Sequence, residues 1–182
     1  MMNEALNFLN KKQTILYPTD TVWGLGCDAT NEGAVAKIYK LKNREESKSL
    51  IILVDSLEML LKYIDNIPEK ALTILKTATK PTTIIYNNPK GLAKNTIAQD
   101  NTIAIRIVQN DFCKGLIKQF GKAIISTSAN VSGEPTPKSF SEISKPILEG
   151  VDYIVNLHQE QVATKSSTIL KIEGENIVVL RE

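Results

Sequence analysis

Histidine, cysteine and aromatic side chains are scarce in this sequence, and each shortage removes a class of chemistry. His158 is the only histidine among 182 residues. A Ser-His-Asp hydrolase would have to use it, yet it lies in a polar stretch with no motif around the serines and reads as a surface residue. Cys27 and Cys113 have no Cys or His beside them. They form neither a disulfide framework nor a zinc-ligand pattern, and a reducing, cytoplasmic setting is expected. Only 5% of residues are Phe, Trp or Tyr, which is poor material for the stacking platforms of a single-strand nucleic-acid binder. Charge of one sign is not in excess: 22 Lys and Arg oppose 20 Asp and Glu, for a net charge of +2. That balance does not announce a nucleic-acid partner. No apolar run approaches the ~20 residues of a membrane span, and residues 1–12, with Glu4 among them, do not form a secretory signal. Neither a G-x-x-x-x-G-K-[ST] loop nor a G-x-G-x-x-G fingerprint occurs.

What is present is a chain that is 42% hydrophobic, enough for one sizeable core over residues 1–182. Helical and strand patterns alternate along it. Ala5, Leu6 and Leu9 are at helical spacing, and a short strand is expected over residues 14–17. A Gly-rich loop follows, then a helix over 31–41 with Ala34, Val35, Ile38 and Leu41 on one face. Residues 50–54 read as a buried strand. Asp55 and Glu58 suggest a capping box, and Pro68 opens another helix. Strands are expected at 82–86 and 102–108, a helix at 112–120 ended by Gly121, and a short strand at 123–126. A polar loop runs to Lys138. A helix at 140–148 and strands at 151–156, 167–172 and 176–181 complete a single α/β domain with a mixed sheet.

Four places gather polar residues as if toward one surface. The loop at 18–26 carries Thr19 and Thr21 between glycines that permit close ligand approach; it reads equally as a plain turn. Lys42 and Arg44, with Lys48 beyond, suit either a helix C-terminus or an anion clamp, in which Arg offers a planar fork and Lys a point charge. In residues 102–107, alternation puts Ile103, Ile105 and Ile107 on one face and Thr102, Ala104 and Arg106 on the other. That suggests a groove with a cation on its wall, or else an ordinary solvent-facing Arg. In the stretch from Ser126 to Gly133, continued extension points Ser126, Ser128 and Asn130 the same way. Their hydroxyls and amide bind phosphate or carboxylate, or simply make turns. Ser167 and Arg181 are polar exceptions on the closing strands.

Six segments in order, YPTDTVWGLGCD, LKNR with KSLIILV, TIAIRIV, STSANVSGEPT, SSTIL and VVLR, resemble the YrdC-like family of L-threonylcarbamoyladenylate synthases. The resemblance implies a twisted, mixed and largely antiparallel sheet flanked by helices, with a large basic concave cavity. It implies formation of threonylcarbamoyl-AMP and pyrophosphate from ATP, L-threonine and bicarbonate, for N6-threonylcarbamoyladenosine modification of tRNA next to the anticodon. By matching positions, the threonine site comprises Thr21, Arg106, Ser126 and Ser167. The ATP site comprises Arg44, Lys48, Thr102, Ser128, Asn130, Thr136 and Arg181, with Lys42 and Arg44 as the catalytic pair. Mg2+ is expected on the ATP phosphates, with no metal held by the protein. A tRNA threonylcarbamoyl transferase complex is the expected recipient of the product. Direct tRNA binding, or an RNA-binding module using the same cavity, is the alternative. Ser49 stands where the family often has Pro, and Trp23 where it has Tyr or Phe. Leu53 stands where longer members carry His. The end at Glu182 resembles the short form.

Overall fold

The computed structural model describes residues 1–46, 50–163 and 165–182. Its helices are α1 (Met2–Asn10), α2 (Glu32–Lys42), α3 (Leu57–Leu60), α4 (Glu69–Thr77), α5 (Asp111–Phe120) and α6 (Lys145–Gly150). Its strands are β1 (Ile15–Tyr17), β2 (Gly24–Gly26), β3 (Ile51–Val54), β4 (Thr82–Asn87), β5 (Thr102–Ile107), β6 (Ile124–Ser128), β7 (Tyr153–Ile154), β8 (Thr168–Glu173) and β9 (Asn176–Arg181). They join in one mixed sheet, in the order β7-β1-β2-β6-β3-β5-β4-β8-β9. The pairs β1–β7, β3–β5 and β4–β8 are parallel, and the other neighbours are antiparallel. Among the described residues, no helix is long and apolar enough to cross a membrane.

The helices follow their side chains. In α5, Phe112, Cys113, Leu116, Ile117 and Phe120 are buried, an apolar stripe at helical spacing. The Asn110 side chain accepts the Cys113 N–H at its start, and Gly121 ends it with φ 77°. That left-handed cap costs glycine little. Burial along α2 takes in Ala34, Val35, Ile38, Tyr39 and Lys42, so a lysine ends the apolar face.

Five elements differ from the pattern reading. The glycine-rich segment contains a strand: Gly24 and Gly26 of β2 pair with Tyr17 and Ile15 of β1. The reason is space. A Cβ on Gly26 would meet the Tyr17 ring at 2.6 Å and the Ile125 carbonyl at 2.7 Å, so these glycines let Tyr17 cross the strand and donate its hydroxyl to Ile125 O. The cap of α3 is Ser56, whose hydroxyl accepts the Met59 N–H, and Asp55 instead accepts from Ser56. The helix expected at 140–148 is divided into a 3-10 turn, Phe140–Glu142, and α6. The strand expected at 151–156 shortens to β7, whereas β6 runs on to Ser128.

The buried cluster includes Leu16, Leu25, Ile52, Leu53, Ile84, Ile105, Leu116 and Ile125, drawn from six strands and α5. Register then fixes what lies beside it. Arg106 sits opposite Leu53 on one side and Thr83 on the other, and Ile51 opposite both Ala104 and Ser126. Polar residues of β4, β5 and β6 are thereby brought to one region of the sheet.

Candidate active site

One cavity of about 210 Å³ collects Thr21, Arg44, Arg106, Ser126, Ser128, Thr136, Ser167 and Arg181 on its walls. A single water needs about 10–15 Å³, so a ligand of many atoms fits. Three of the described wall residues are arginines and none is a carboxylate. The hydroxyls come from β6, from the loops at Thr21 and Thr136, and from the approach to β8.

Arg106 is the best fixed of these groups. Its Nη2 donates to Asp20 Oδ1 at 3.0 Å and lies 3.4 Å from the Thr21 hydroxyl. The other oxygen of Asp20 accepts the Gln109 backbone N–H. Both side chains are buried, where an ion pair is strongly held and its loss costly. Nε of Arg106 is buried and has no hydrogen-bond partner among the described residues. Such a donor, on a cavity wall, awaits an acceptor.

Arg44 and Lys42 part company at Asn43. That residue adopts φ 50° and ψ 48°, and the Arg44 N–H bonds back to Tyr39 O at 2.9 Å. This left-handed cap turns the chain, and Arg44 reaches the cavity. Lys42 goes the other way. Its ammonium donates to Ser128 O at 2.5 Å and Asn130 O at 2.8 Å, and lies 3.4 Å from Asn130 Oδ1. Burial, and then the nearby Arg44 charge, push its pKa down to about 8.

At the opposite wall, Arg181 of β9 donates from Nε and Nη2 to Ser167 O at 3.0 and 2.8 Å. The Ser167 hydroxyl shares a 2.8 Å bond with Thr83 Oγ1. Thr83 is wholly buried, so this bond satisfies a group that has no solvent to turn to.

The family described as Sua5_yciO_yrdC, telomere recombination, matches residues 7–182. The chain belongs to the Sua5/YciO/YrdC family. A threonylcarbamoyl-AMP synthase of Pseudoalteromonas translucida is 37% identical over 155 residues, 84% of this chain and 83% of that protein. A putative threonylcarbamoyl-AMP synthase of Methanocaldococcus jannaschii is 34% identical over 98% of this chain and 86% of its own. P. abyssi Sua5 complexed with L-threonine superposes with a TM-score of 0.88 at 27% identity, covering 99% of this chain and 53% of that one. The chain thus spans about half the length of that Sua5. E. coli YciO, at 24% identity and a TM-score of 0.85 over 88% of its length, shares the fold.

Set against the family's motif positions, Thr21, Arg44, Arg106, Ser126, Ser128, Thr136, Ser167 and Arg181 come together at this cavity. Three expected residues do not line it. Thr102 begins β5 and donates its hydroxyl to Asp100 at 2.6 Å. Asn130 is buried; it accepts from Lys42 and donates to Val131 O and Glu134 O. Lys42 is held as described above, its donors spent on oxygens of the 128–130 segment. The Lys42 ammonium therefore faces the 128–130 segment, because a buried ammonium takes the nearest acceptors. Lys48 and Ser49 lie outside the described residues. Pattern reading missed Asp20 and Thr83. Asp20 stood between Thr19 and Thr21 as a visible clue. Thr83 gave none, since only the β4–β8 pairing brings it to Ser167. Among the described residues, no group of three or more His, Cys, Asp or Glu is placed to hold a metal ion.

Proposed function

We propose that this chain is a threonylcarbamoyl-AMP synthase that forms threonylcarbamoyl-AMP and pyrophosphate from ATP, L-threonine and bicarbonate. The observation that carries the reading is Arg106: a guanidinium fixed by Asp20, with Nε unfilled, facing a cavity bounded by Arg44 and Arg181. Arg106 takes the threonine carboxylate, for which its remaining donors are suited. Thr21, Ser126 and Ser167 orient the amino acid.

The threonine amine adds to the carbon of bicarbonate-derived CO2 and loses a proton, giving a carbamate. A carbamate oxygen then attacks the α-phosphorus of ATP in line, and the bond to pyrophosphate breaks. Such a transfer needs positioning and charge stabilisation rather than a protein nucleophile. Arg44 and Arg181 balance phosphate charge as it builds, and Ser128 and Thr136 donate to the phosphates. Lys42 and Asn130 hold the 128–130 segment in place. Mg2+ would be carried by the ATP phosphates and would supply further charge neutralisation there. The cavity walls, rich in hydroxyl and guanidinium groups, suit a metal whose ligands are substrate oxygens. The product serves N6-threonylcarbamoyladenosine modification of tRNA in the cytoplasm, through a tRNA threonylcarbamoyl transferase complex.

The test is pyrophosphate release on incubation with ATP, labelled bicarbonate and threonine. Release should require threonine, and Arg44→Ala should abolish it while leaving the circular dichroism spectrum unchanged. RNA binding by a protein without this turnover would favour an RNA-binding module instead.

A further inference from the structure

A second, smaller cavity lies against the first and serves none of the roles given so far. Thr19, Thr21 and Val22 bound it on one side, and Lys138, His158 and Ala163 on another. Thr21 and Val22 belong to the walls of both cavities. Its volume is about 50 Å³, against about 210 Å³ for its neighbour. At about 10–15 Å³ per water it admits roughly three to five water-sized groups. That is too small for threonine or a nucleotide, and the right size for a one-carbon oxyanion.

Its far wall is built deliberately. The Ala163 N–H donates to Lys138 O at 2.7 Å, the Gln161 N–H to His158 O at 3.1 Å, and Ser139 bridges Val162. His158 adopts φ 54°, a left-handed conformation uncommon for a residue with a side chain. Lys138 is exposed and His158 half-buried, so an anion arriving from solvent meets the lysine first. No Asp or Glu is among the described residues of the wall. At the partition, Thr19 Oγ1 donates to Val22 O and lies 3.2 Å from Thr21 Oγ1, which in turn is 3.4 Å from Arg106 Nη2.

We propose that this smaller cavity is the bicarbonate subsite. The assignment rests on the synthase reading above. A threonine with its carboxylate on Arg106 would lie beside Thr21, which belongs to the walls of both cavities. A third substrate needs its own place beside the threonine amine, and the two cavities meet at Thr21. Bicarbonate held by Lys138 and His158 gives up its hydroxyl at the partition: one C–O bond breaks and water leaves with a proton, and the amine nitrogen bonds the carbon of the CO2 so formed and releases a proton in its turn, leaving the carbamate. The carbamate stays on the threonine side for attack on ATP.

Steady-state pyrophosphate release at varied bicarbonate tests this, using wild type, Lys138→Ala, His158→Ala and Ala163→Leu. The leucine variant adds bulk to the wall. Each substitution should raise the bicarbonate KM about tenfold while threonine and ATP KM stay within about twofold, and Lys138→Arg should recover most of the loss. Thermal melts confirm that each variant folds. An unchanged bicarbonate KM in all of them overturns the assignment, as does a threonine KM that rises equally. A rise in Ala163→Leu alone means neutral CO2 occupies the cavity and overturns the anion site. Wild type that needs no bicarbonate or threonine for pyrophosphate release refutes the synthase reading itself, a separate result.

Discussion

Asp20 and Arg106 are 86 residues apart in the chain, yet their side chains meet at 3.0 Å and are almost entirely withdrawn from solvent. The carboxylate fixes the orientation of the guanidinium through Nη2 and leaves Nε for a ligand. Asp20→Asn keeps the shape and removes the charge. It should raise the threonine KM about ten- to a hundredfold with little change in the ATP KM. Both substitutions leave the buried guanidinium without its counter-charge, a loss of about 3–5 kcal/mol; Asn can still accept the Arg106 hydrogen bond, so Asp20→Ala should melt lower than Asp20→Asn. Steady-state kinetics and thermal denaturation check both. Equal effects on threonine and ATP would mean that Asp20 supports the whole cavity rather than Arg106.

Lys42 gives a pH dependence with a definite sign. Its folded pKa is about 8 against an ordinary 10.5. Between those values the unfolded chain holds the proton and the folded chain does not, so the contribution of this group to stability rises with pH across the window. Below about pH 8 both states are protonated and the contribution is flat. The stability of wild type relative to Lys42→Met should therefore shift in favour of wild type from pH 8 toward pH 10, as measured by urea unfolding. A difference that stays constant over that range contradicts this account of Lys42.

Ser167 links three strands through one side chain and one carbonyl. Ser167→Ala removes the partner of Thr83 Oγ1 but leaves the carbonyl that holds Arg181. The orphaned buried hydroxyl should cost about 1–3 kcal/mol. The double substitution Thr83→Val with Ser167→Ala should restore part of it, because no unpaired group is then left. Calorimetric melting temperatures of the two variants decide the matter.

Gly26→Ala tests the packing of the hairpin. The added methyl would contact the Tyr17 ring and the Ile125 carbonyl, and the carbonyl belongs to a central strand that has little room to move. A loss of about 1–3 kcal/mol is expected. The companion Gly33→Ala meets only the capping Asn31 Oδ1, at 3.3 Å, and should cost less than Gly26→Ala.

Much of this architecture was written in local patterns. The α5 stripe, its Gly121 cap and the alternation of β5 follow from side-chain chemistry within a few residues. The segment from Gly24 to Gly26 was misread because glycine carries no strand preference of its own; the need for it lies in Tyr17 and Ile125, which come from other strands. Ser126 and Ser128 both line the cavity, as does Thr127 between them, but Asn130 does not, since the strand ends at Ser128 and Lys42 bonds to the amide oxygen. Lys42 itself reads from sequence as a helix-end or anion-clamp cation because its acceptors lie 86 and 88 residues away.

The parallel pairing of β4 with β8 has a consequence for the birth of the protein. Thr82 must wait for Thr168, and Arg181 follows later still. Non-local pairings of this kind form slowly, after a large loop-closure cost. During synthesis the chain can thus bury much of its interior while one wall of the cavity is still inside the ribosome. Completion of the cavity should appear as a late, discrete event, visible as protection from hydrogen exchange of the amides that join β4 to β8 only after the β8–β9 hairpin has docked.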